Sequence, residues 1–253
     1  MPSIKELRKI CQNSEESPDW RSQSIEGRLN RILSIYLTWI FIKLPFTPNQ
    51  ITVFGTTVYL VGAFVFSFSN YIWNLIGVGL IIVSFWLDAV DGELARYRKL
   101  ATGGGVGGVY VEPVSHDVQY GFLFLPISYG AYLLTGSILP VLAGFLATSS
   151  KLMFRLLEFR WNTLARFWDA QKGEFYGLAK GGKQYSPATV RYFVYRNFFT
   201  GTGMIFPLFF ASLLNRIQLF LYFYGVFYVL LWSMLLFRQI GRIRRQSRGM
   251  PAA

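Results

Sequence analysis

The chain has 253 residues, of which 53% are hydrophobic and only 15% are charged, and its formal net charge is +12. A soluble domain of this length carries far more charge. The apolar residues also gather into runs of about 20, which is the length that a helix needs to cross a bilayer. The composition therefore predicts an integral membrane protein.

The positive charge is compatible with nucleic acid or with anionic lipid headgroups as a partner. No nucleic-acid-reading module is recognisable, so we assign the charge to cytoplasmic loops and expect no nucleic acid partner. The single cysteine, Cys11, excludes an internal disulfide. The N-terminus is polar through Arg31 and has no early apolar core, so a cleaved signal peptide is not expected.

The chain begins with a polar tail, predicted over residues 1–27. Residues 28–44 follow, with a short apolar stretch that is flanked by basic residues and stopped by Pro45 and Pro48. Because the apolar stretch is short, this segment predicts a helix lying in the membrane interface, and a first spanning helix is the alternative.

Six candidate spans come next. They run approximately over residues 50–69, 73–95, 106–134, 138–160, 193–213 and 217–237. The turn sequences SNYIWN and LTGSILP join the first span to the second and the third to the fourth. No repeat is visible, so residues 28–240 predict one all-α membrane domain of six transmembrane helices plus an N-terminal interfacial (juxtamembrane) helix. Residues 241–253 form a basic C-terminal tail.

The distribution of basic residues predicts the orientation. With six spans, both chain ends and the loops near 96–105 and 161–192 share one side of the membrane. That side and its helix ends hold 24 of the 25 lysine and arginine residues, and only Arg216 lies opposite. By the positive-inside rule this side is cytoplasmic. We expect a multi-pass protein of a bacterial or archaeal cell membrane; counting 28–44 as a seventh span would move the tail outward.

Acidic residues concentrate in residues 86–121, which hold five of the thirteen carboxylates. They are Asp88, Asp91, Glu93, Glu112 and Asp117. Each lies in or beside a predicted span, where an unpaired charge is costly. Ion pairs with Arg96, Arg98 and Lys99 account for one or two of these carboxylates but not for the whole pattern.

Helical geometry places the acidic residues on two stripes. At about 100° per residue, Asp88, Asp91 and Ala95 share one face of their helix. Gly92 lies beside that face, and Glu93 points away. A second stripe on the next span consists of Gly108, Glu112, His116 and Gln119. Facing carboxylates form a hard-oxygen site suited to Mg²⁺ or Mn²⁺, while the small residues either admit a ligand or allow close helix packing.

The segment DAVDGELAR resembles the first half of the CDP-alcohol phosphotransferase signature, D-x2-D-G-x2-A-R followed by G-x3-D-x3-D. The matching residues are Asp88, Asp91, Gly92, Ala95 and Arg96. The segment TPNQIT, which holds Asn49 and Thr52, also resembles what many members carry before the first span. The resemblance covers roughly residues 28–240. It implies six transmembrane helices, a juxtamembrane helix, a homodimer, and a site for two Mg²⁺ or Mn²⁺ ions that holds the CDP pyrophosphate.

The second half of the signature departs from the family pattern. Anchored on Gly108, Glu112 replaces the third aspartate and His116 replaces the fourth. Glutamate keeps an oxygen ligand. The fourth aspartate is the proposed general base of the family, a task that histidine performs well near neutral pH. We expect His116, the only histidine, to act in catalysis or as a metal ligand; a structural role is the alternative.

The resemblance implies a transferase that moves a phospho-alcohol group, of the phosphatidyl type, from a CDP-linked donor to a hydroxyl acceptor and releases CMP. The implied metal and catalytic residues are Asp88, Asp91, Glu112 and His116. The implied nucleotide-binding residues are Gly92, Ala95, Arg96, Gly108, Asn49 and Thr52. Membrane lipid and a second copy of the chain are the other expected partners.

Basic residues near the same end form a second candidate cluster. They are Lys151, Arg155, Arg191 and Arg196. A pocket for a substrate phosphate, as in inositol-phosphate-accepting members of the family, is one interpretation. Contact of these side chains with lipid headgroups is the other.

Other functions are compatible with parts of the pattern. A soluble CDP-polyol or a glycan-linked acceptor would keep the chemistry and change the substrate. A degenerate, non-catalytic scaffold or transporter is the non-enzyme alternative. A prenyltransferase normally carries two aspartate-rich motifs, whereas this chain has a single DxxDG.

Overall fold

The computed structural model describes residues 2–12, 25–98, 106–172 and 202–248, and the regular structure within those ranges is entirely helical. The helices are α1 (Ile4–Cys11), α2 (Ile25–Phe41), α3 (Pro48–Val65), α4 (Tyr71–Tyr97), α5 (Val106–Thr135), α6 (Leu139–Lys172), α7 (Ile205–Leu213) and α8 (Ile217–Arg248). Single 3₁₀ turns follow α3 at Phe66–Phe68 and precede α7 at Thr202–Met204.

Local sequence signals explain where the membrane helices begin. A capping box opens α3, in which the Thr47 hydroxyl accepts from the Gln50 amide and the Gln50 side chain accepts from the Thr47 amide. Pro48 occupies the first turn, where its missing N–H costs nothing. The side chain of Asn70 caps α4 in the same manner.

Short turns join consecutive helices, as the sequence predicts. Ser69, in the turn between α3 and α4, has a left-handed backbone with φ of 57°, and its hydroxyl donates to the Gly130 carbonyl of α5 at 2.9 Å. Gly136, between α5 and α6, has φ of 65°. The first of these turns is therefore fixed against a third helix.

Four helices in the described part of the chain are long and apolar enough to cross a membrane. They cover Pro48–Phe68, Tyr71–Tyr97, Leu139–Leu164 and Ile217–Arg244. These four agree with four of the six predicted spans. The predicted third span is helical as α5. Of the predicted fifth span, Ile205–Leu213 is helical as α7, and residues 193–201 lie outside the described residues. The number of six spans is thus not confirmed, and the interfacial position of residues 28–44 stays a prediction.

Packing arranges these helices around one main core. Helix α3 packs against both α4 and α5, and α6 packs against both α5 and α8, while α2 and α7 contact α4. Aromatic rings fill the core between α5 and α8, where Phe124, Tyr224 and Tyr228 have no exposed surface. The ring centroids of Tyr224 and Tyr228 lie 5.4 Å apart, within the range of favourable aromatic pairs.

The backbones of α3 and α4 approach each other closely at two glycines. A Cβ added to Gly77 would lie 2.8 Å from the Gly62 carbonyl oxygen, and one added to Gly62 would lie 2.9 Å from the Gly77 oxygen. Small residues permit such backbone contact between membrane helices. This contact fixes how far α3 and α4 slide along one another.

We predict that Gly77→Ala destabilises the protein by about 1–3 kcal/mol, because its methyl group would force the α3 and α4 backbones apart. Gly79→Ala, on the same helix, is the matched control, since a Cβ at Gly79 meets no atom within 4 Å. Thermal unfolding of both variants in one detergent measures the difference. Equal melting temperatures would contradict the assigned contact.

Candidate functional site

Asp91 is held by the neighbouring helix α3. Its carboxylate is 8% exposed, and the Thr52 hydroxyl donates to its Oδ2 at 2.5 Å. Thr52 lies in the first turns of α3, directly after the capping box, so the TPNQIT segment sets the position of this donor. The segments TPNQIT and DAVDGELAR, which are separate candidates in the sequence, are therefore in direct contact through Thr52 and Asp91.

Asp88 lies one turn earlier on the same face of α4 and meets α5. Its Oδ1 is 3.8 Å from Nε2 of His116, and the two side chains are 32% and 25% exposed. The His116 ring is stacked on Tyr120, with centroids 6.2 Å apart and planes at 17°. His116 thus has the Tyr120 ring along its face and the Asp88 carboxylate at its edge.

The second predicted stripe faces the first. Gln119, on α5, donates to the Thr56 hydroxyl of α3 at 3.3 Å. Glu112 interacts electrostatically with Asp91 across the helices, and its side chain is exposed. Pro113 follows Glu112 inside α5, where it removes one helical hydrogen bond.

The donor set fits a hard divalent cation in its chemistry. Within the described ranges, neither Asp88 nor Asp91 forms an ion pair with a lysine or arginine, and the basic group beside Asp88 is the imidazole of His116. The described side chains do not, however, bring three histidine, cysteine or acidic groups close enough together to enclose an ion. The carboxylates that would bind the metal are therefore present, but they do not form a closed ligand set.

The small motif residues lie around the same helix end. The space above Gly92 is bordered by Arg96, whose terminal nitrogens would be 3.4 and 3.7 Å from an added Cβ. Ala95 is fully buried. Asn49 is half-buried in the first turn of α3, and Gly108 is buried near the start of α5.

The two described members of the basic cluster have different surroundings. Lys151 is 4% exposed, and its Nζ lies over the rings of Tyr120 and Tyr228, 4.5 and 4.8 Å from their centroids. The Arg155 Nε donates to Asp117 Oδ1 at 2.7 Å. Burial of Lys151 inside the bundle does not fit headgroup contact. The other two predicted members, Arg191 and Arg196, lie outside the described residues.

Helical periodicity placed Glu93 away from the face of Asp88 and Asp91, but the structural importance of Glu93 was not predicted. Glu93 is 1% exposed and accepts three hydrogen bonds, from Ser34 Oγ at 2.7 Å, Thr38 Oγ1 at 2.6 Å and Gln12 Nε2 at 2.6 Å. Ser34 and Thr38 are spaced four apart on α2, which gives one polar stripe on an otherwise apolar helix. That polar stripe is the sequence signal from which a buried polar partner for α2 could have been predicted.

The same network docks the N-terminal helix α1. Gln12 also donates to the Arg31 carbonyl at 2.6 Å, and the Arg31 guanidinium donates to the Gln12 carbonyl. Arg96, the last residue of the motif, donates through Nε to the Cys11 carbonyl at 2.6 Å. Cys11 is fully buried, and burial, followed by the nearby Glu93 carboxylate, raises the pKa of its thiol to about 11.

The fold and site together define a helical membrane protein with an acidic site at one end of a candidate span. Residues 46–114 match the family model described as CDP-alcohol phosphatidyltransferase. The match covers α3, α4 and the start of α5, and it ends two residues before His116. The resemblance inferred from DAVDGELAR is confirmed over this segment. Proteins of this family transfer a phospho-alcohol group from a CDP-alcohol and use divalent metal ions. No curated protein matches the chain.

We predict that Cys11 in the folded protein reacts slowly with a maleimide at pH 8, because the thiol is buried and its pKa is raised to about 11. The rate should rise about tenfold for each pH unit up to that value, since only the thiolate reacts. Protein unfolded in SDS provides the control and should react fast at pH 8. Equal rates for folded and unfolded protein would contradict the docked position of α1.

Proposed function

We propose that this protein is a membrane transferase that moves a phospho-alcohol group from a CDP-linked donor to a hydroxyl acceptor and releases CMP. The observation that carries the proposal is the pairing of Asp88 with His116 at 3.8 Å, beside Asp91, within and just beyond the segment that matches the family model. A phosphatidyl-type donor suits a site at the end of a membrane span. Basic residues concentrated on one side support a cytoplasmic site, and a homodimer is part of the proposal by family resemblance.

The proposed site uses Asp88, Asp91 and Glu112 to bind two divalent ions, Mg²⁺ or Mn²⁺. Such ions neutralise charge on a pyrophosphate and on the leaving phosphate. Thr52 orients the Asp91 carboxylate through its hydrogen bond. The nucleotide is proposed to bind beside Gly92, where the missing side chain leaves room that the Arg96 guanidinium now contacts.

His116 is the proposed general base. It takes the proton from the acceptor hydroxyl, whose oxygen then attacks the phosphorus that bears the alcohol moiety. A new P–O bond forms at that phosphorus, and the bond to the CMP oxygen breaks. The Asp88 carboxylate stabilises the imidazolium that results, because opposite charges at 3.8 Å attract.

The acceptor side is proposed to include Lys151 and Arg155. Both lie behind Tyr120, whose ring contacts His116. A phosphate on the acceptor would compete with Asp117 for Arg155. If the substrate is a soluble CDP-polyol or a glycan-linked acceptor, the same catalytic groups act. If the protein is instead a non-catalytic scaffold or transporter, no CMP is released.

We predict that Asp88→Ala abolishes metal-dependent CMP release, because the variant loses both a metal ligand and the partner of His116. His116→Ala should lose about 100-fold or more in turnover, and His116→Asp should recover part of it, since a carboxylate also accepts a proton. The assay measures CMP in nanodiscs with Mg²⁺ or Mn²⁺, across CDP-diacylglycerol and soluble CDP-alcohols with varied acceptors. Full activity of Asp88→Ala would refute the site assignment.

We predict that Thr52→Val weakens Mn²⁺ binding about tenfold, because a residue that orients a metal ligand typically contributes that much. Thr57→Val is the matched control on the same helix, since the Thr57 side chain is exposed and its hydroxyl donates to the carbonyl of Val53. Titration of purified protein with Mn²⁺ by electron paramagnetic resonance gives both affinities. The same affinity for the two variants would contradict the role of Thr52 in orienting Asp91 for metal binding.

A further inference from the structure

A buried polar cluster ties α1 and α2 to the motif end of α4. Glu93 accepts from α1 through Gln12 and from α2 through Ser34 and Thr38. A carboxylate with almost no exposed surface needs this number of donors to remain in place. The cluster lies on the face of α4 opposite to Asp88, so no substrate is expected to touch it.

Arg96 connects this cluster with the nucleotide side of the helix. Its Nε donates to the Cys11 carbonyl at the end of α1, while its terminal nitrogens lie over Gly92, 3.4 and 3.7 Å from the position that a Cβ would take. One guanidinium therefore contacts the N-terminal helix and the proposed nucleotide space together. Displacement of α1 would free Arg96 to change its orientation beside Gly92.

We infer that docking of α1 onto Glu93 and Arg96 positions the motif end of α4 for nucleotide binding, with Glu93 and Gln12 as positioning residues. This inference rests on the proposed function, because the ligand is the CDP part of the donor. Glu93 fixes the backbone of residues 91–96 against α1 and α2, and Arg96 borders the nucleotide only while α1 holds its Nε. Undocking of α1 weakens donor binding without altering the reacting groups.

Additional contacts show that α1 is a docked element and not a free tail. Leu7 and Cys11 are fully buried against Ile35 of α2. The Arg8 guanidinium donates to the Ile32 carbonyl at 3.1 Å and to the Gln12 side chain at 3.3 Å. Apolar burial supplies the affinity of α1 for the bundle, and the polar contacts at Gln12 set its register.

The test removes the contact between Gln12 and Glu93 by changing Gln12, at the end of α1, because no residue of α1 approaches the reacting atoms. In Gln12→Ala, the donor KM should rise about five- to fifty-fold while kcat changes less than twofold, as expected for coupling between two sites. Lys9→Ala, on the exposed face of the same helix, should leave both constants unchanged. Glu93→Gln keeps the shape of the side chain, and its donor KM should rise in the same way.

Labelling of Cys11 gives a readout that does not depend on catalysis. The maleimide rate should rise at least about tenfold in Gln12→Ala, since the variant loses its bond to Glu93 and undocks more often. In the wild type, CDP with Mg²⁺ should slow labelling, because coupling between nucleotide and α1 is reciprocal. This protection should be absent in Gln12→Ala.

The outcomes separate the inference from the proposed function. An exposed Cys11 with an unchanged donor KM would overturn the positioning role, as would wild-type kinetics and wild-type labelling in both variants. If Glu93→Gln fails to fold, Gln12→Ala decides. If the wild type releases CMP from no donor, the proposed function fails, and labelling alone then decides: protection by CDP in the wild type supports the inference, and its absence overturns it.

Discussion

Close packing of α3 against α4 is the constraint on which the rest of the site depends. Gly62 and Gly77 bring the two backbones into contact at one end of the pair. At the other end the same register places the Thr52 hydroxyl against Asp91. Because both helices are rigid and antiparallel, a shift at the glycines is transmitted to Thr52, ten residues from Gly62 along α3, and so to the Asp91 carboxylate; at about 1.5 Å per residue the distance is about 15 Å.

The carboxylates on the two faces of α4 have opposite surroundings. Glu93 is enclosed by three donors and has almost no exposed surface, so its charge is stabilised inside the protein. Asp88 and Asp91 have no lysine or arginine partner in the described part of the chain. A membrane helix keeps such charges only where something compensates them. The contrast favours a bound cation on one face and a structural role on the other.

Much of this arrangement was predictable from local pattern. Helical periodicity placed Asp88 and Asp91 on one face and Glu93 on another, and the structure agrees. The docking of α1 was not predictable, because it depends on tertiary contacts between Gln12 and residues 19 and 81 positions away. Periodicity also did not predict that the Glu112 side chain would be exposed, because exposure depends on how the neighbouring helices pack and not on helical spacing alone.

The surroundings of residue 116 suit a histidine side chain better than an aspartate. An imidazole has a flat face that stacks on Tyr120, and this contact fixes the direction of Nε2 toward Asp88. A carboxylate has no comparable face, so its orientation would have to come from hydrogen bonds. Lys151 lies over the same Tyr120 ring, so one aromatic side chain supports both the proposed base and the proposed acceptor site.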